Sequence, residues 1–393
     1  MRDAAPTGAH TLPVLDGLRG IASLMVVTTH VAFQTGEVVR GVPGAVLARL
    51  DFGVALFFAL SGFLLTRPWL AHRLAGSAEP STRRYLLRRA ARILPAYWAA
   101  LVVVLLTTAR GTSPGAAVSN VLLTQTYTDD LLSGFTQTWS LCTEVAFYLV
   151  LPLAAPLVAA VAVRSPARAG WLLLGALPVS WAWTAWAALD GTLPLSAAVW
   201  LPGHLDWFAA GMAVALLEQV CRRSPDSTAA QVTAALAARP GTLVALAAAV
   251  FWLSAGPLGG PQTLSTPAPL VAVSKEALYC AAAATLLAAC AFADQGRGVI
   301  ATVLAGRVGR MLGRFSYGVF LWHLVVLAGV FAVTGLSLFS GWFWPVLGAT
   351  ATVTLAVAAL SWHLLEAPVL RWAHRDRGRR VDPAGQPVQA GPR

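Results

Sequence analysis

An ionisable side chain inside an apolar stretch is costly, so each one in this sequence is a candidate for chemistry. They are few. Asp16, Arg19 and His30 lie in the first apolar stretch, Asp51 heads the second, and Glu144 lies in the fourth. His204 and Asp206 open the sixth, His323 is in the ninth, and His363 and Glu366 end the tenth. Arg19 and His30 are the most informative pair. Eleven residues at 100° each make three turns plus about 20°, so the two share one helix face, about 16 Å apart along the axis. A cation at the mouth and a titratable imidazole at depth suit a long anionic ligand, with the imidazole as general base on a hydroxyl. The alternative is that His30 only hydrogen-bonds within a bundle and Arg19 anchors its helix among headgroups.

Arg83, Arg84, Arg88, Arg89 and Arg92 form a second cluster. Arg88 and Arg92 are i, i+4 on a helix, and Arg84 extends the stripe. The planar fork of Arg binds phosphate bidentately; the competing reading is an anchor at the membrane surface. Glu144 follows Thr138, Trp139 and Ser140, about 9 Å in from the end of its stretch by helix rise. That depth is near the one expected for His30, where a carboxylate would orient the imidazole or handle a proton; a protonated structural Glu is the alternative. His323 follows Ser316 and Tyr317, and an interhelical hydrogen bond is its plainer role. Ser61 is a formal nucleophile, but the Ser61-Gly62 pair better suits close helix packing, and no Gly-x-Ser-x-Gly turn occurs. The histidines lack metal-site spacing, so no metal is expected. Cys142, Cys221, Cys280 and Cys290 read as small hydrophobes.

These residues need a scaffold, and composition says which. Of 393 residues, 57% are hydrophobic and only 11% charged, too few charges to solvate a water-soluble surface and too apolar for disorder. The solvent is lipid, and the fold class is all-α: a polytopic membrane protein of about ten transmembrane helices. About 20 apolar residues cross a bilayer, and ten segments qualify: 15–35, 51–70, 93–110, 139–163, 170–189, 202–220, 240–256, 275–293, 313–336 and 342–365. The polar segment 119–135 reads as a loop or re-entrant piece. The first stretch opens with Asp16 and Arg19 and lacks a cleavage site, so it reads as a retained helix. With both termini cytoplasmic, 24 of the 28 basic residues fall on inner segments, as the positive-inside rule requires. The net charge of +11 is therefore topology. No nucleic-acid motif accompanies it, and no nucleic-acid partner is expected. Residues 1–11 form a tail. Residues 373–393 form a disordered basic tail able to rest on anionic lipid. A proton-coupled transporter using the buried His and Glu residues is the rival reading.

In this order the pieces resemble the acyltransferase 3 family of integral-membrane O-acyltransferases. The resemblance rests on Leu15 to Ala22 with His30, Phe57 to Phe63, Arg88 to Trp98, and Thr138 to Leu141 with Glu144, Phe147 and Tyr148. It continues through Asp206-Trp207-Phe208 with Gly211-Met212, Gly313 to Gly318 with Leu321-Trp322-His323, and Ser361, Glu366 and Pro368. It spans residues 12–372 and implies transfer of an acyl group, usually acetyl, from cytoplasmic acyl-CoA. The acceptor it implies is a hydroxyl on a sugar, glycan precursor or glycosylated, macrolide-type natural product. It implies that His30 is the catalytic histidine and that Glu144 supports proton transfer. Arg19, with ten residues between it and His30, would contact the donor, and Arg88, Arg89 and Arg92 its phosphates. Asp16, Ser61, Trp139, Ser140, Tyr317 and His323 would line the substrate cavity. Larger members append an SGNH domain after the membrane part; this sequence ends at Arg393, soon after the tenth span, which resembles the short form. The implied location is the cell membrane.

Overall fold

Serine and proline set where many of the helices begin. Ser81, Ser113, Ser165 and Ser227 each accept a hydrogen bond from a first-turn backbone N–H, which satisfies a donor the helix leaves open. Prolines occupy the first turns of five helices, two of them also serine-capped, where no N–H is needed. The computed structural model describes residues 12–189, 195–262 and 265–374. Its helices are α1 (Pro13–Thr35), α2 (Gly41–Ala48), α3 (Phe52–Leu74), α4 (Thr82–Leu106), α5 (Pro114–Val121), α6 (Trp139–Arg164), α7 (Pro166–Leu174) and α8 (Ala176–Leu189). They continue as α9 (Leu205–Arg223), α10 (Thr228–Ala237), α11 (Pro240–Ser254), α12 (Pro269–Ala291), α13 (Gly298–Leu304), α14 (Arg307–Thr334), α15 (Phe343–Ser361) and α16 (Ala367–His374). No β-strand occurs among the described residues. The tail at residues 1–11, and the basic tail beyond His374, lie outside them.

Among the described residues, eight stretches are long and apolar enough to cross a membrane, or nine if α10 and α11, bent by 83°, count as one. About ten were expected, and the two expected spans outside this set are both helices. The sixth expected span is α9, a continuous helix, but it carries Asp206, Glu218, Arg222 and Arg223. The seventh is α11, only 15 residues long, short of the roughly 20 a bilayer core needs. The segment 119–135 begins in the last turn of α5 and then runs largely as loop, pinned where Ser119 Oγ and Asn120 Nδ2 donate to the side chain and carbonyl of Asp130.

Side-chain pairings give the helix directions. His30 meets His323 and Gly20 meets Gly313, so α1 and α14 run parallel. Gly62 meets Phe208, Arg67 pairs with Glu218 at 2.6 Å, and α3 and α9 are parallel too. Thr29 donates to the Ala48 carbonyl while Gly53 meets Ala22, so α3 runs opposite to α1. The start of α1, the end of α3, the start of α4 and the end of α15 thus share one end of the bundle. Small residues allow these approaches. A Cβ on Gly62 would strike the Phe208 carbonyl, and one on Gly211 the Ala59 carbonyl.

Candidate active site

The arginines of α4 divide by depth. Arg83 and Arg84 are exposed, whereas Arg88, Arg89 and Arg92 are half-buried and turn into a cavity of about 180 Å³. Arg19 of α1 lines the same cavity. Four guanidinium groups therefore converge at one end of the bundle, from two helices that are distant in sequence. Arg92 is held on three sides. Its Nη1 lies 3.1 Å from Glu366 Oε2, and its guanidinium sits 5.6 Å from the Tyr317 ring and 5.3 Å from the Trp362 ring. Glu366 is 1% exposed and closes a π-turn, Trp362–Glu366, at the end of α15. That turn inserts an extra residue into the helix, a feature frequent at functional sites. Arg89 rests 5.8 Å from the Tyr148 ring, and its buried Nε has no partner among the described residues.

Deeper in, the cavity wall becomes hydroxylic and then aromatic. Ser61 of α3 and Tyr148 of α6 both donate to Glu144 Oε1, Tyr148 from 2.7 Å. Glu144 and Tyr148 are i, i+4 on α6 and so share a face. Ser140 and Tyr317 also line the cavity, and the Tyr317 hydroxyl donates to the Ile93 carbonyl at 2.8 Å, tying α14 to α4. Phe57 and Phe320 form the inner wall, edge to face with centroids 6.0 Å apart. One turn beyond Phe320 stands His323, fully buried, whose Nε2 is 3.3 Å from His30 Nδ1.

Several expected placements differ. Glu144 is bonded to Ser61 and Tyr148, and the imidazole partner of His30 is His323. Helix rise gave depth but not azimuth, which is why depth alone paired Glu144 with His30. Neither His30 nor His323 lines the cavity; His323 packs behind Phe320, with centroids 6.2 Å apart. Trp139 also stands outside the lining, against Phe58 and His204. Asp16 is exposed, one turn before Arg19, and its carbonyl lies where a Cβ on Gly313 would be. Two participants had no role assigned from the sequence, although Glu366 was among its ionisable candidates. Tyr148 is signalled by its i+4 spacing from Glu144, and Glu366 by being an acid at the end of an apolar helix. A second polar cluster occupies the opposite end, where His204 Nδ1 is 2.6 Å from Glu276 and Lys275 Nζ is 2.7 Å from Asp51. Among the described residues no three His, Cys, Asp or Glu side chains converge as metal ligands.

Comparison with known proteins decides what this arrangement belongs to. The acyltransferase 3 family model, described as an acyltransferase domain, matches residues 12–362. The chain belongs to the acyltransferase 3 family. It is 30% identical to "Acyltransferase MdmB" of Streptomyces mycarofaciens, over 96% of each chain. It is 25% identical to "Putative peptidoglycan O-acetyltransferase YrhL" of Bacillus subtilis (strain 168), over 94% of this chain and 56% of that one. No solved structure matches it. As an acyltransferase 3 protein it is a multi-pass membrane enzyme that transfers acyl groups, and the transporter reading is not favoured.

Proposed function

We propose that this acyltransferase moves an acyl group, acetyl in the first instance, from cytoplasmic acyl-CoA to a hydroxyl of a sugar, glycan precursor or glycosylated natural product. Both termini face the cytoplasm of the cell membrane in this reading. The observation that carries it is the convergence of Arg19, Arg88, Arg89 and Arg92 on one cavity, with His30 farther along the helix that bears Arg19. The donor set fits a polyphosphate. Arg forks bind phosphate bidentately, and the buried, unpartnered Nε of Arg89 is a donor awaiting an acceptor.

In this scheme the four arginines hold the phosphates at the mouth, and the thioester arm runs inward past Ser61 and Glu144. His30 Nε2 takes the proton of the acceptor hydroxyl as that oxygen bonds to the acyl carbon. The carbon–sulfur bond breaks, and the proton passes from His30 to the departing sulfur. The ester and free thiol then balance the starting thioester and alcohol. Glu144, held by Ser61 and Tyr148, orients polar groups of the arm or acceptor. The relative named as an O-acetyltransferase supports acetyl as the group and a glycan hydroxyl as the acceptor class.

The test is product formation from acetyl-CoA in membranes, with His30→Ala expressed to the same level. A positioned general base contributes about 10²–10⁴-fold, so activity falls by that factor. Wild-type turnover by His30→Ala would sink the proposal. Mass spectrometry of metabolites and surface glycans from a deletion strain, set against its parent, identifies the acceptor by a mass difference of one acyl group.

A further inference from the structure

The donor and acceptor roles at the two buried imidazoles can be worked out atom by atom. A backbone carbonyl only accepts. His30 Nδ1 lies 2.7 Å from the Val26 carbonyl, so Nδ1 carries the hydrogen. His323 Nδ1 lies 2.7 Å from the Phe320 carbonyl, so it too carries the hydrogen. A neutral imidazole protonated at Nδ1 has a lone pair at Nε2. His323 Nε2 is therefore an acceptor, and the atom it faces at 3.3 Å is the N–H of His30. A proton on His323 Nε2 would set two N–H groups against each other, so the contact also keeps His323 neutral. Together the Val26 carbonyl and His323 Nε2 claim the Nδ1 hydrogen of His30 and leave its Nε2 as the only basic site.

We infer that His323 is the positioning residue that fixes the tautomer of His30, so that Nε2, and not Nδ1, performs the proton transfer. This rests on the reading of His30 as general base. The logic matches that of a catalytic triad, in which a buried aspartate accepts from the far nitrogen of the histidine and holds its tautomer. Here the acceptor is a neutral imidazole, itself locked by a carbonyl. As Nε2 of His30 picks up a proton, the developing imidazolium donates more strongly through Nδ1 to its two acceptors. His323 thus favours the charged intermediate without becoming charged. Its full burial and its place behind Phe320 explain why it holds the base from behind and touches no substrate.

Nitrogen NMR of the full chain in lipid nanodiscs, labelled with ¹⁵N-histidine and assigned with His30→Gln, reads the tautomer without any substrate. The expected wild-type spectrum shows His30 protonated at Nδ1 with an unprotonated Nε2, and His323 in the same form. A His30 protonated at Nε2 would overturn the inference. His323→Leu should give a mixture of His30 tautomers and lower kcat by about tenfold to a hundredfold, less than loss of the base itself, with the acetyl-CoA KM unchanged. His323→Gln, whose amide oxygen can accept from His30 Nδ1, should restore the single tautomer and most of kcat. Unchanged kcat and tautomer in His323→Leu overturn the assignment. Because the wild-type spectrum involves no turnover, it separates this inference from the reading of His30 as base, which His30→Ala activity tests by itself.

Discussion

Arg92 and Glu366 are 274 residues apart in the chain and 3.1 Å apart in the bundle. The pair fastens the start of α4, with its arginines, to the π-turn at the end of α15. It is also the buried brace of the proposed phosphate site, because Arg92 lines the cavity while Glu366, behind the lining, holds it. The brace has consequences that can be measured.

Removing one partner of a buried ion pair strands the other and costs about 3–5 kcal/mol. Glu366→Ala and Arg92→Ala should each lower the thermal midpoint of the detergent-solubilised protein by several degrees. The double variant should be more stable than the sum of the two losses implies. Strict additivity would show that the two side chains do not interact.

Arg88→Ala combined with Arg89→Ala tests the mouth of the cavity. A hydrogen bond to a charged group contributes about 1.5–3 kcal/mol, so the apparent KM for acetyl-CoA should rise by roughly tenfold or more. The saturated rate should change little, and added salt should raise the wild-type KM in the same direction. An unchanged KM removes these residues from the donor site.

Phe57 and Phe320 close the inner end of the cavity. Phe57→Ala opens that wall and should favour longer donors. One methylene in an apolar pocket is worth about 1–3 kcal/mol, so the preference for acetyl-CoA over butyryl-CoA, as a ratio of kcat/KM, should fall by at least about tenfold. A constant ratio would place the acyl chain elsewhere.

Gly211→Ala puts a methyl group against the Ala59 carbonyl, where backbone cannot yield cheaply. Overpacking of this kind costs about 1–3 kcal/mol, read as a lower unfolding midpoint. Gly348→Ala is the control. Open space surrounds that position, and an alanine in a helix interior is favoured over glycine by roughly 0.5–1 kcal/mol.

What the sequence made legible was local. The spacing of Arg19 and His30 placed them on one face of one helix, and the i+4 spacing of Arg88 and Arg92 gave a stripe. Both follow from a fixed rotation per residue. The helical class followed from composition, since lipid permits few alternatives to helices. Contacts between helices were not legible. Nothing local says that His30 meets His323 or that Glu366 reaches Arg92, because helix rise fixes height and leaves rotation and neighbours open. Glu144 shows the limit well: its depth suggested His30, but its rotation delivers it to Ser61 and Tyr148. The apolar pattern is weakest where charge interrupts it, as with Asp206 and Glu218 in α9. There the helix persists because partners such as Arg67 meet its charges inside the protein.

The parallel pairing of α1 with α14 bears on how the molecule comes into being. His30 emerges from the ribosome early, and its partner His323 follows 293 residues later. At roughly 5–20 residues per second, that gap is about 15 to 60 seconds of synthesis. Throughout it the first helix waits in the bilayer beside whatever has already been inserted. Its Arg19 is met early by the arginines of α4, but His30 meanwhile lacks the imidazole it will finally face. A nascent chain therefore carries His30 well before the residue proposed to position it. If His323 positions His30, the last part of the site to arrive is the helix that steadies its base.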